Sequence, residues 1–325
     1  KSGILNINLG NCYVELKETN NALYHYTKSV EFQPGWAQGP LLLAILHSSQ
    51  GDTEKAIKQL KNAIYLQPED HSLQLALAAE FIKRKDADAA ASCLKILSSS
   101  GFKSTEHLSM MAETYILRGK IELAASFYEQ AIVFDLSDAK PIFCLGNLFY
   151  HQGDFEAALK YYHQALVIDP EYAEPLNNIG AILRSKGNLD EAKTYFERAL
   201  YFSPTHTEAL NNIGVLFKDM GEPQRAIDSF QKSLSLKPND AEVYSNMAVT
   251  LKIMRDHNAA INCCNKALAI LPEYVDAWIN LGSIYADMNN SEAALTSFRR
   301  ALSFEPNNLN ALHNMGSELL VQGEL

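Results

Sequence analysis

Apolar residues return at intervals of three and four along almost the whole chain, in paired runs divided by short polar turns. From Glu174 to Lys186, EPLNNIGAILRSK places its leucines and isoleucines at helical spacing. After the turn Gly187-Asn188 the same spacing resumes in LDEAKTYFERALYF, Leu189 to Phe202. Gly187 stands where a helix ends in a left-handed residue, and Pro204 lies just past the second helix. Pro40, Pro141, Pro175 and Pro223 all fall in a first helical turn, where a missing N–H costs little. No alternating strand pattern occurs, so the pattern predicts an all-α protein made of helix pairs.

The pairs repeat on a fixed beat. LNNIG occurs at Leu176–Gly180 and again at Leu210–Gly214, 34 positions on. Pro34, Pro68, Pro170, Pro204, Pro238, Pro272 and Pro306 share one 34-residue grid, with Phe102 and Leu136 filling the two slots that lack proline. Units beginning at Gly3, Ala37, His71, Thr105, Ala139, Ala173, Thr207, Ala241, Val275 and Leu309 give nine full repeats and half of a tenth. Position 8 of each unit is glycine or alanine, and position 20 is alanine in all nine full units. Small residues are required where two helices come close, so both columns predict tight helix–helix contacts.

These columns, with Leu or Trp at position 4, Leu at 7, Tyr or Phe at 11 and 24, Ala at 27 and Pro at 32, resemble the tetratricopeptide repeat. The unit DAWINLGSIYADMNNSEAALTSFRRALSFEP matches nearly all of them, and the likeness runs from residue 3 to 325. The resemblance implies a right-handed α-solenoid, a superhelix of antiparallel helix pairs whose first (A) helices line a concave groove. A single superhelix over residues 1–325 is the expected domain. The chain starts at Lys1 and stops at QGEL, where a tenth B helix should begin, so a fragment of a longer protein is expected.

Composition narrows the partners. The 38 acidic against 28 basic residues give a net charge of −10, which argues against a nucleic-acid backbone. No run of 18 apolar residues and no signal peptide is visible, so a cytoplasmic or nuclear protein without membrane insertion is expected. The five cysteines lack metal-ligand spacing and read as reduced structural thiols. No phosphate loop, nucleophile elbow or H-E-x-x-H is present, so no catalytic residue, metal or cofactor is assigned.

Within each A helix, positions 4, 7, 8 and 11 form one stripe and positions 2, 6, 9 and 13 another, roughly opposite. The first reads as core. The second carries asparagine at position 6 of five successive units: Asn178, Asn212, Asn246, Asn280 and Asn314. An amide offers donors and an acceptor, which suits the main chain of an extended peptide. The same amides also suit hydrogen bonds between neighbouring A helices, and both roles stay open. Stretches such as YSNMAVTLKIM and ALNNIG resemble the repeat arm of protein O-GlcNAc transferases and the plant Spindly proteins. That resemblance implies peptide contact by the five asparagines. Repeats 2 to 5 lack the asparagine, and no glycosyltransferase domain lies in this chain.

Other groups flank the rail. Arg184, Lys218 and Lys252 hold position 12, with Asp219 and Asp287 at position 13, and read either as groove charges or as a solvated edge. In the first half of the chain, Leu42, Ile45, Ala76, Ala79 and Met110 form a candidate apolar groove patch. Position 5 holds no lysine, which sets the chain apart from repeat domains that clamp the acidic tails of chaperones. The sequence thus points to a non-catalytic scaffold for an extended segment of another protein, or to the substrate-recognition arm of a protein O-glycosyltransferase whose catalytic domain lies elsewhere. Self-association is the further partner left open.

Overall fold

The computed structural model describes residues 2–322, and among them every regular element is an α-helix. The chain divides into two compact units, Lys1–Gln164 and Ala165–Leu325. Unit 1 contains α1 (Gly3–Glu15), α2 (Thr19–Phe32), α3 (Gln38–Ser49), α4 (Thr53–Leu66), α5 (His71–Lys83), α6 (Ala87–Ser99), α7 (Thr105–Leu117), α8 (Ile121–Phe134) and α9 (Ala139–His151). It also holds most of α10 (Phe155–Ile168). Unit 2 contains α11 (Ala173–Ser185), α12 (Leu189–Phe202), α13 (Thr207–Asp219), α14 (Pro223–Leu236), α15 (Ala241–Ile253), α16 (His257–Ile270), α17 (Val275–Asp287), α18 (Ser291–Phe304) and α19 (Leu309–Gln322). Each is an α-solenoid: an odd-numbered A helix packs on the B helix that follows, and B packs on the next A.

The turn inside each repeat is built the same way. Position 15 has a positive φ in all nine full repeats, from 57° at Asn289 to 82° at Gly187. Five of these residues are glycine, which meets no Cβ penalty there; Lys17, Lys85, Arg255 and Asn289 adopt the conformation at a cost. The next residue starts helix B. Asp52, Asp86, Asp154 and Asp256 each accept the backbone N–H three residues on, at 3.0–3.1 Å.

One of the two small columns has a different partner from the one expected of it. All nine position-20 alanines are fully buried. The position-8 glycines of the full repeats, however, face a ring rather than a backbone. A Cβ at Gly146, Gly180, Gly214 or Gly282 would stand 2.5–2.7 Å from the aromatic at position 24 of the same repeat: Tyr162, Phe196, Phe230 or Phe298. Where position 8 is alanine, position 24 shrinks to Leu60, Leu94 or Cys264, with Tyr128 the exception. The two sites share one volume, as close packing demands.

Candidate functional site

On the A helices of unit 2, the asparagine rail is half of a two-residue device. Asn212 Nδ2 donates to Asn177 Oδ1 at 3.0 Å, and Asn246 Nδ2 donates to Asn211 Oδ1 at 3.1 Å. Asn280 Nδ2 donates to Ser245 Oγ at 2.9 Å. Each bond joins position 6 of one repeat to position 5 of the repeat before it. The position-5 amides are buried, with Asn177 1% and Asn211 5% exposed, while the rungs are half-buried.

A carboxylate sets the polarity of this chain of amides. Asn177 Nδ2 donates to Glu208 Oε1 at 3.3 Å, and Asn211 Nδ2 to Glu242 Oε1 at 3.0 Å. An ionised carboxylate only accepts, so each position-5 amide must turn its NH2 toward it. Its oxygen then faces the rung, and the rung must answer with N–H. In a planar amide the rung's own oxygen is therefore turned away from the preceding helix. Glu208 and Glu242, at position 2, are exposed and orient the rail without belonging to it.

The five rungs are not equivalent. Asn178 accepts from Asn177 Nδ2 at 3.3 Å. Asn314 is half-buried, and the residue at the matching place in the preceding repeat is Ile279, which has no acceptor. Next to Ser245, Tyr274 has its phenol pushed up to about 12, chiefly by burial, with the Asp276 and Glu242 carboxylates adding to it.

The flanking charges are spoken for. Arg184 Nη1 meets Asp219 Oδ2 at 2.9 Å, and Lys252 Nζ meets Asp287 Oδ2 at 3.5 Å, each pairing one repeat with the next. Lys218 Nζ lies 3.2 Å from Asp219 Oδ1. Such half-exposed pairs contribute modestly, and the Arg184–Asp219 and Lys252–Asp287 pairs tie successive A helices together along one side of the rail.

In unit 1, Ala76 and Met110 pack against one shared core, yet the apolar candidates line different cavities. Ile45, Ala76 and Ala79 line one cavity of about 240 Å³ together with Leu41, Ala44, Ser48, Leu60, Glu80 and Lys83. Leu42 packs instead with the core of α1–α3, beside Leu43 and Leu46. Met110 lines a separate polar cavity of about 300 Å³ with Ser109, Glu113, Asp138 and Lys140. There burial raises the Glu113 carboxyl above its ordinary range against the pull of Lys140, and burial with Glu113 nearby pushes the Cys144 thiol up to about 11. Cys93, Cys263 and Cys264 are buried, Cys264 with its thiol pushed up to about 12. Among the described residues no group of ligands is arranged for a metal, and no helix is long and apolar enough to cross a membrane.

Sequence reasoning missed Asn177 and Asn211. The signal was present: two adjacent asparagines, the first in a column that is otherwise mostly apolar, followed 31 residues later by glutamate.

Family models described as tetratricopeptide repeat match residues 41–70, 140–200, 171–239, 209–273 and 275–308. Among curated proteins, none matches the sequence. Of solved structures, a chain of the APC/C hetero-tetramer Cut9–Hcn1 is similar over 92% of this chain and 59% of its own, at 16% identity and a TM-score of 0.69. This chain therefore spans a little over half of that one. PilF of Pseudomonas aeruginosa is similar at 21% identity over 66% of this chain and 97% of its own, TM-score 0.56. PilW, a type IV pilus biogenesis factor, is similar at 20% identity over 64% and 97%, TM-score 0.59. At these identities the likeness is one of fold.

Proposed function

This chain belongs to the tetratricopeptide repeat family, and from that premise we propose a non-catalytic scaffold that holds an extended segment of another protein along the A helices of unit 2. The observation that carries the reading is the polarity of the rail. Asn212, Asn246 and Asn280 spend an N–H on the preceding helix and turn their oxygens away from it. Carbonyl oxygens spaced by one repeat are suited to the main-chain N–H groups of a strand-like segment. Such bonds give affinity while reading little sequence, so the partner's extended form matters more than its side chains. Among proteins of the same fold, the Cut9–Hcn1 subunit works within a hetero-tetramer, which agrees with a protein partner.

The test is a peptide selected from a displayed random library by the full chain. Its affinity is measured for the wild type and for a variant with alanine at Asn178, Asn212, Asn246, Asn280 and Asn314. Because three of those rungs satisfy buried acceptors, the same variant carries Asn177→Leu, Asn211→Leu and Ser245→Ala. Each lost bond is worth roughly 0.5–1.5 kcal/mol, so a loss of tenfold or more is expected with helicity retained. Full-strength binding by the folded variant contradicts the proposal.

A further inference from the structure

In unit 1, successive repeats meet along seams where position 28 of one B helix packs on position 3 of the next A helix. A Cβ on Gly39, at position 3 of repeat 2, would stand 2.8 Å from Val30 Cγ2, and Ile64 and Leu73 share one core. Position 28 is valine, isoleucine or leucine in every full repeat but the third, which has Ser98. Position 3 is apolar or glycine in every repeat but the fourth, which has His107. The two exceptions face each other: His107 Nε2 lies 3.2 Å from Ser98 Oγ. The same seam departs from the pattern a third time, with Phe102 in a proline slot and its ring 6.1 Å from that of His107.

His107 is 3% exposed, and its Nε2 also lies 3.1 Å from the Leu94 carbonyl oxygen, which only accepts. Nε2 therefore carries the proton of the neutral ring, and Nδ1 is a bare lone pair, buried and without a partner. A proton added there would make a charged N–H with no acceptor. α6 presents Leu94 and Ser98 to the ring, the loop after it presents Phe102 and Lys103, and α5 presents His71, packed on Phe102 at 4.6 Å. Glu106, beside it in α7, lines the cavity of Met110 instead. Burial holds the imidazole below its ordinary range against the hydrogen bond to Leu94, and the Lys103 ammonium adds to the effect. We infer that His107 makes the seam between repeats 3 and 4 a proton-operated hinge: its neutral ring closes α7 on α6, and its protonated form releases it. In the open seam the ring is solvated and binds its proton in the ordinary range. Closure is therefore complete above that range, weakens as pH falls through it toward the value of the closed seam, and weakens no further below.

Amide exchange of the full chain, corrected for the intrinsic effect of pH, is compared at about pH 7 and about pH 5. α6 and α7 are expected to lose protection about fivefold or more at the lower pH, as a buried donor without an acceptor implies. His107→Gln offers Leu94 the same kind of donor and takes up no proton, so it is expected to keep its protection at both pH values. Ser98→Ile with His107→Leu copies the Ile64–Leu73 pair and should do the same, whereas His71→Gln should leave the wild-type loss in place. The ring signal of His107 should change to its protonated form only over the pH range in which α6 and α7 open. Undiminished protection of the wild type, an equal loss in both His107 variants, a loss abolished by His71→Gln, or titration of His107 with α6 and α7 still closed overturns the assignment.

Discussion

Removing Asn212 and removing Asn314 should have opposite consequences, although the two residues hold the same place in their repeats. Asn212→Ala deletes a side-chain donor that meets Asn177 Oδ1, an atom of a residue 1% exposed. A buried acceptor left without a partner costs about 1–3 kcal/mol. Alanine returns about 0.5 kcal/mol as the better helix former, so a net loss of roughly 0.5–2.5 kcal/mol is expected. Asn314→Ala orphans nothing, because the matching neighbour is Ile279, and only the helix-propensity gain is left. A solenoid opens repeat by repeat, so one global midpoint blurs the difference. Amide exchange resolves it: α11 and α13 should exchange roughly 2- to 60-fold faster in Asn212→Ala. No such change is expected at α17 or α19 in Asn314→Ala. The pair Asn177→Leu with Asn212→Ala copies the apolar solution of repeat 9 and should restore most of the protection. If Asn212→Ala is as harmless as Asn314→Ala, the inter-helix network is not holding the repeats together.

Gly214→Ala brings a methyl within 2.6 Å of the Phe230 ring and should be destabilising; Phe230→Leu should suppress that penalty, as Ala78 with Leu94 already does, giving a coupling of about 1–3 kcal/mol in a double-mutant cycle by amide exchange at α13 and α14. Additive effects would mean that ring and glycine do not share space. Arg255→Gly relieves a residue held at φ 65° and should stabilise the turn by about 0.5–1 kcal/mol after the added chain entropy of glycine, seen as slower exchange in α15 and α16; faster exchange would contradict it. The Glu113 carboxyl is raised in the fold, so it binds its proton more tightly there than in the unfolded chain. Below its ordinary range both states are protonated and nothing is lost, whereas stability falls as pH rises through that range toward the folded value. Glu113→Gln should therefore raise the melting temperature at pH 7 and leave it unchanged near pH 3; an equal gain at both pH values would point to packing instead.

The helix pairs and their turns were legible because they rest on local causes: proline in a first turn, glycine at the left-handed position, apolar spacing of three and four. The boundaries read around Gly187 lie within a residue of those of α11 and α12. The rail was legible as a column. Bonding between neighbouring A helices was one of the two roles read for it, but the partner was not legible, because a hydrogen bond from Asn212 to Asn177 depends on how one helix is set against the next, and spacing along the chain does not encode that. The pairing of the charges at positions 12 and 13 was hidden for the same reason: Arg184 and Asp219 are 35 residues apart, yet they meet. Of the apolar patch, Leu42 turns to the core of α1–α3, whereas Ala76 and Met110 pack against one shared core, and Glu80, not singled out in the sequence, gives the cavity beside Ile45, Ala76 and Ala79 its polar end.

The central claim, that unit 2 grips a partner by its main chain, is tested most directly on the peptide rather than on the protein. A library-selected peptide is compared by calorimetry with versions methylated at single backbone nitrogens and with versions carrying single side-chain replacements by alanine. Methylation removes the N–H that a rung oxygen would accept and leaves the protein's own network untouched. The expected result is a set of backbone positions at which methylation weakens binding tenfold or more, with most side-chain replacements costing less. Undiminished binding of every methylated peptide, with affinity lost on side-chain replacement instead, would contradict the account.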